Sequence, residues 1–236
     1  GFWGAAFDGR YVYFVPLDDG SAYTGKVLRY DTQGRFTDAS SWSGYNASGT
    51  SPGNMKGFAG AAFDGRYIYF VPYSSQSMLR IDAFSPTVTR SFDGWPREVT
   101  RTAKAFGTGS FDGNRTVWFH PLNANGVVSF DAVSLEMTGH LSWPSGLAAA
   151  STDKFIGGAT DAANDLWMVS YNADRVVRYR CCSGAMTGYQ DWPAGFTKQS
   201  EAFVGGVYDG RGMWMVPYAA RAVVRVDTVS GNMKAY

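Results

Sequence analysis

Charge is scarce in this sequence. Only 17% of its 236 residues are Asp, Glu, Lys or Arg, and the 21 bases and 20 acids leave a net charge of +1. A protein that grips nucleic acid through its phosphates concentrates Lys and Arg, so no nucleic-acid partner is expected. Long apolar runs are missing as well. No stretch approaches the ~20 consecutive apolar residues of a transmembrane helix, so no membrane span is expected. Cysteine is limited to the adjacent pair Cys181 and Cys182. A secreted disulfide framework needs spaced pairs, and two neighbouring thiols make no metal-ligand pattern. They read as free thiols, with a strained vicinal disulfide as the alternative, and neither a metal nor a cofactor is predicted. The opening Gly1-Phe2-Trp3-Gly4 lacks the basic, apolar and small-residue blocks of a secretory signal, although such a signal could already have been removed. Helical periodicity is absent over any useful length.

Glycine and aromatic rings are what the chain has in abundance: 29 Gly, 16 Phe, 14 Tyr and 8 Trp. With 45% apolar residues, the chain has the hydrophobic payload that a disordered one lacks. The glycines follow no three-residue period, which excludes collagen. They follow a longer one. The phrases Phe2-Trp-Gly-Ala-Ala-Phe-Asp8, Phe58-Ala-Gly-Ala-Ala-Phe-Asp64, Phe106-Gly-Thr-Gly-Ser-Phe-Asp112, Phe155-Ile-Gly-Gly-Ala-Thr-Asp161 and Phe203-Val-Gly-Gly-Val-Tyr-Asp209 are variants of one motif. Their closing aspartates are spaced by 56, 48, 49 and 48 residues. Such a period matches the ~40–50 residues of a four-stranded propeller blade.

Each unit reads as four short strands. The first is rich in Gly and Ala and ends at an Asp-Gly turn in four of the five units. The second is apolar and aromatic, as in Tyr11-Val-Tyr-Phe-Val-Pro16 or Met213-Trp-Met-Val-Pro217. After a polar loop comes a third strand such as Val27-Leu-Arg-Tyr-Asp31. The fourth is expected to end in Trp in four units, at Trp42, Trp95, Trp143 and Trp192. The chain is therefore expected to be all-β: a five-bladed β-propeller with four antiparallel strands per blade. It reads as one domain, with blades at about 1–55, 56–103, 104–152, 153–200 and 201–236. Small residues in the first strands suit a crowded axis. Because the chain starts at a first strand and stops where a fourth would sit, ring closure is expected from face packing of blade five on blade one. Unit one carries an eight-residue insertion, spread between 18–25 and 43–56.

The phrase from Phe7 to Pro16, nearly repeated from Phe63 to Pro72 and followed by Leu28-Arg-Tyr-Asp31, resembles a family of propeller-repeat proteins. The blade grammar is similar to NHL and YVTN repeats, and a five-unit ring is similar to the tachylectin architecture. The resemblance spans the whole chain. It implies the fold and leaves function open, because propellers host lectins, hydrolases and scaffolds alike. Unit four departs most, with Thr160-Asp161-Ala-Ala in place of aromatic-Asp-Gly and Arg180-Cys181 in place of the aspartate that ends strand three.

If strand one runs from a top face to a bottom face, the residues before each unit's opening Phe gather on the top rim: Lys56, Lys104, Lys154 and Glu201. So do Tyr73, Tyr171 and Tyr218, just after the second strands, with Asn123, Asn172 and Arg221 in the loops. Rings beside amides and charges are what a shallow peptide or glycan site needs. For any one of these residues the competing reading is structural, with tyrosines capping interblade core and lysines in solvent. The aspartates Asp8, Asp64, Asp112, Asp161 and Asp209 could ring a cation, but Asp before Gly is ordinarily a turn residue bonding its own backbone. Arg29, Arg80, Arg178 and Arg225 recur in strand three, which points to blade geometry through a fork to a nearby carboxylate.

Catalytic patterns are sparse. His120 replaces the Val of the Val-Pro ending near the top and is the better of two histidines as an acid–base group, though it lacks an identified partner. The inner strands offer no paired carboxylates for glycoside hydrolysis. Asn46-Ala-Ser48 and Asn114-Arg-Thr116 satisfy the short glycosylation pattern, which chance also produces. The sequence thus predicts an interaction module and not an enzyme: a scaffold or accessory subunit that takes a protein partner, or joins a larger assembly, through its top-face loops. A glycan-binding lectin is the alternative, and a propeller hydrolase using His120 is the third reading. Gly1 lacks the Lys-Gly or Lys-Ala lead of Phe58 and Phe106, so a processed or partial chain is expected.

Overall fold

The computed structural model of the protein describes residues 1–49, 55–86, 89–148 and 151–236, so part of the unit-one insertion, 50–54, lies outside the described residues. Five sheets follow one another, each of four antiparallel strands in sequence order. Blade one holds β1 (Phe2–Phe7), β2 (Tyr11–Pro16), β3 (Lys26–Asp31) and β4 (Trp42–Asn46). Blade two holds β5 (Phe58–Phe63), β6 (Tyr67–Pro72), β7 (Met78–Asp82) and β8 (Thr89–Phe92). Blade three holds β9 (Phe106–Phe111), β10 (Thr116–Pro121), β11 (Val127–Asp131) and β12 (Met137–His140). Blade four holds β13 (Phe155–Thr160), β14 (Leu166–Ser170), β15 (Val176–Tyr179) and β16 (Met186–Tyr189). Blade five holds β17 (Phe203–Tyr208), β18 (Gly212–Pro217), β19 (Val224–Asp227) and β20 (Met233–Ala235).

The aspartate turns set the first hairpin of every blade. Asp8 Oδ1 accepts from the backbone N–H of Arg10 and Tyr11, at 2.8 and 2.6 Å, and Asp64, Asp112, Asp161 and Asp209 do the same for their own turns. This is the local bonding that makes Asp a turn residue. The second oxygen is also taken in three blades, by the hydroxyl of Tyr69 and the indole N–H groups of Trp167 and Trp214.

The inner strands β1, β5, β9, β13 and β17 lie side by side about the axis, each packed on the next. Their glycines are what allows this. A Cβ at Gly157, whose φ is +95°, would fall 2.3 Å from the Gly205 Cα, and one at Gly60 would fall 2.7 Å from the Thr108 Cα. Bulges lie at the start of all five of these strands, and Gly4, Gly157 and Gly205 supply the left-handed backbone there. Together the five inner strands line an axial cavity of about 470 Å³.

The core is four interblade layers. Tyr13, Val15 and Val27 of blade one pack on Phe58, Phe70 and Leu79 of blade two, and the later blades repeat the arrangement. Three tryptophans staple it: Trp95 stacks on Phe106, Trp143 on Phe155 and Trp192 on Phe203, with ring planes within 18°. Each belongs to the blade before its Phe partner. These three lie beyond the fourth strands, and Trp42 opens β4, so none ends a strand as the sequence reading had it.

Two further expectations need correction. Among the described residues β17 does not pack on β1 as the other inner strands pack on their neighbours, so the closing face contact between blades five and one is not made. Among the described residues the strand-three arginines bridge to carboxylates only in blades four and five, where Arg178 meets Asp165 at 2.6 Å and Arg225 meets Asp209 at 3.2 Å. Arg29 and Arg80 instead lie over the rings of Tyr11 and Tyr67, each at 4.1 Å. The repeated ion pair is another one. The turn arginines Arg10, Arg66, Arg115 and Arg211 reach the aspartates that end strand three, Asp31, Asp82, Asp131 and Asp227.

Candidate functional site

The top rim is built from two short backbone segments per blade: the residues before each inner strand and those after each second strand. Lys104, Asp153 and Glu201 occupy equivalent places two residues before Phe106, Phe155 and Phe203. All three are left-handed, with φ of 60°, 51° and 54°. L-residues rarely adopt this conformation, and the surrounding structure must hold it in place. Here the N–H groups of Asn123, Asn172 and Ala219 donate to the three carbonyls at 3.0–3.1 Å. Asn123 Oδ1 in turn accepts from the Asp153 N–H at 2.7 Å, and Asn172 Oδ1 from the Glu201 N–H at 2.8 Å. The two asparagines named as rim binding groups therefore spend their carbonyl oxygens locking one blade to the next.

Beside these residues stand the rim tyrosines, in two groups. Tyr171 and Tyr218 have ring centroids 6.2 Å apart, and Tyr73 pairs edge-on with Tyr23 at 6.3 Å. Burial pushes the Tyr73 hydroxyl up in pKa against the pull of the neighbouring Lys104. Burial and then a hydrogen bond to the Glu201 carboxylate push Tyr171 up to about 12. Both phenols are neutral donors at physiological pH. Tyr218 and Lys104 are exposed. Lys56 is half-buried and borders a shallow cavity of about 320 Å³ with Tyr23, Ser74 and Gln76. Arg221 lies apart, in a groove of about 440 Å³ with Phe196, Gln199 and Ala235 that no rim tyrosine lines.

Two expected surface groups are interior. Lys154 stands one residue closer to its Phe than Lys56 and Lys104 do, at the place of Ala105 and Ala202. It is fully buried, its Nζ donates to the Ser151 carbonyl at 2.7 Å, and burial lowers its pKa to about 8. Lys154 is therefore not a third rim lysine, and the one-residue offset that removes it from the rim takes effect only in the folded backbone.

His120 is also fully buried. It shares hydrogen bonds with Thr108 Oγ1 at Nδ1, 2.9 Å, and with Ser110 Oγ at Nε2, 3.1 Å. Burial pulls its pKa down to about 4, so it is neutral at physiological pH. Thr108 and Ser110 stand where the other inner strands carry Gly and mainly Ala, and His120 where the other four second strands carry Val. Three departures from the repeat in blade three are thus one polar unit. Reading the repeat by column would have linked them. Thr108 also lines the axial cavity, where it is the one hydroxyl side chain among the described lining residues.

Cys181 and Cys182 are free, and the Cys181 Sγ–H donates to the Asn164 carbonyl at 2.7 Å. Burial pushes the Cys181 thiol up to about 12, so it is no nucleophile.

No family model matches the chain, and no curated protein matches it in sequence. Solved structures do. A catalytically inactive virginiamycin B lyase from Staphylococcus aureus, determined with quinupristin, is similar at TM-score 0.71 and 15% identity, covering 100% of this chain and 69% of that one. A chain from a nidogen–laminin complex is similar at TM-score 0.63 and 12% identity, covering 100% and 79%. U3-55K is similar at 0.69 and 9%, covering 99% and 64%. The fold is a β-propeller. The expectation that the chain is not an enzyme is overturned by the first of these likenesses. Virginiamycin B lyases are enzymes whose propeller matches this chain along its full length, so the sparse catalytic patterns in the sequence do not set it apart from catalytic propellers. At 15% identity the likeness carries fold alone, and no lyase residue is transferred.

Proposed function

We propose that this protein is an interaction module that holds a protein partner on the top rim of the propeller. The supporting observation is the rim's asymmetry on a regular scaffold. Equivalent positions carry Lys104, Asp153 and Glu201, all in left-handed backbone, and the places after the second strands carry Leu17, Tyr73, Leu122, Tyr171 and Tyr218. Several equal sugar sites, as in a lectin, would need like residues in each blade. One asymmetric partner needs the reverse. Tyrosine supplies large contact area at low entropy cost and a hydroxyl at its tip, which suits it to anchor such a contact. The rim groups of this reading are Tyr73, Tyr171, Tyr218 and Lys104, with Lys56 at the edge; Lys154 and His120 support it from within.

The test is partner capture with the triple variant Tyr73→Ser, Tyr171→Ser and Tyr218→Ser, compared with the unaltered protein as bait. Anchors of this type each contribute about 1–2 kcal/mol, so captured partner should fall at least tenfold while the melting temperature changes little. Undiminished capture by a folded triple variant would refute the reading.

A further inference from the structure

Four interblade interfaces follow one pattern, and the two outermost faces are the separate halves of another. Toward its predecessor each blade turns the opening Phe of its inner strand and alternate residues of the next two strands. In blade two these are Phe58, Phe70 and Leu79, all fully buried. Their counterparts in blade one are Phe2, Phe14 and Leu28. Phe2 is 47% exposed and the other two are half-buried. Phe106, Phe155 and Phe203 each lie under a tryptophan of the preceding blade, whereas the ring beside Phe2 is Phe14 of its own blade, at 5.7 Å.

The other half is on blade five. Val15, Val71 and Val169 are fully buried against the following blade, but Val216 at the same place is 52% exposed. A Cβ on Gly157 would strike the next inner strand, whereas one on Gly205 would meet only Val216 of its own blade, at 3.9 Å.

We propose that these two faces are docking surfaces for further four-stranded blades of the same repeat, which continue the ring between blade five and blade one. The four existing interfaces define the apolar face of the occupant, and three of them its tryptophan. It presents a tryptophan, placed beyond its outer strand, to Phe2, and an inner-strand Phe with alternate apolar residues to Trp214 and Val216. About a third of the lyase chain lies outside its match to this one, the length of roughly two repeats of 40–50 residues. Two further blades are therefore the occupant, in preference to a second copy of the chain.

The test joins two tandem copies of residues 153–200 after Tyr236 and compares this extended chain with the 236-residue protein. The extended chain should be a monomer, melt at a higher temperature and show slowed amide exchange in β1, β2 and β18. Val216→Asp should lower its melting temperature by several degrees and that of the 236-residue protein by about one degree or less. A second measurement holds even if the added blades fail to fold. The unextended protein should sediment as a monomer and bind the dye ANS, with binding falling several-fold in the variant Phe14→Lys/Val216→Asp. The proposal is overturned by an unextended protein that shows no dye binding and is strongly destabilised by Val216→Asp, which would mean that blade five closes on blade one. It is equally overturned by a dimer that this double variant dissociates.

Discussion

His120 shows how one residue can alter a blade without touching its surface. Its folded pKa, near 4, lies below the ordinary value of about 6.5, because burial penalises the charged ring. Above pH 6.5 the ring is neutral in both folded and unfolded states and contributes no pH dependence. Between pH 6.5 and 4 the unfolded chain takes up a proton that the folded one refuses, so stability falls with falling pH, by up to about 3 kcal/mol. Urea unfolding from pH 8 to pH 4.5 should show this loss, and His120→Val, the residue of the other four blades at this place, should flatten it. The variant leaves the Thr108 and Ser110 hydroxyls without their partner, so at pH 8 it should be less stable by about 1–3 kcal/mol. An unchanged pH profile would mean that the ring is charged or exposed in solution.

Among the elements, the inner strands are the least tolerant, because their backbones approach more closely than side chains permit. Gly157→Ala combines a left-handed φ with a clash against the Gly205 Cα, and should cost more than about 3 kcal/mol or prevent folding. Gly205→Ala has a similar φ, +90°, but no neighbouring strand to strike, and should cost only the conformational term of about 1 kcal/mol. Thermal melting of the two variants checks the difference. Equal costs would show that β17 is as crowded as β13, contrary to the open face described above.

At the scale of the whole molecule, the main contacts among the described strands of different blades join neighbouring blades, and stability should follow nearest-neighbour rules. Asn123 locks blade three to blade four, and Asn172 locks blade four to blade five. Asn123→Ala and Asn172→Ala should each cost about 0.5–1.5 kcal/mol, and the double variant should equal their sum to within about 0.5 kcal/mol. A marked departure from additivity in chemical denaturation would show that the two interfaces are coupled through blade four.

The repeat carried the fold. Glycine where inner strands meet, aspartate at the turns and alternating aromatics in the second strands are local chemical requirements, so they recur at a fixed period and can be read along the chain. Tyr73, Tyr171 and Tyr218 were legible for the same reason, since their distance from Val71, Val169 and Val216 places them on one rim. The rest depended on packing between residues far apart in sequence. A one-residue offset put Lys154 in the interior, and the hydroxyls of Thr108 and Ser110 across a strand pair made His120 a satisfied core group. Phe2 and Val216, on the two faces that no other blade covers, are exposed where their counterparts in other blades are buried. The sequence determined the blade, because a blade is made of neighbours. Tertiary structure decided how far the blades go round, because that depends on the sum of four interfaces and on no single repeat.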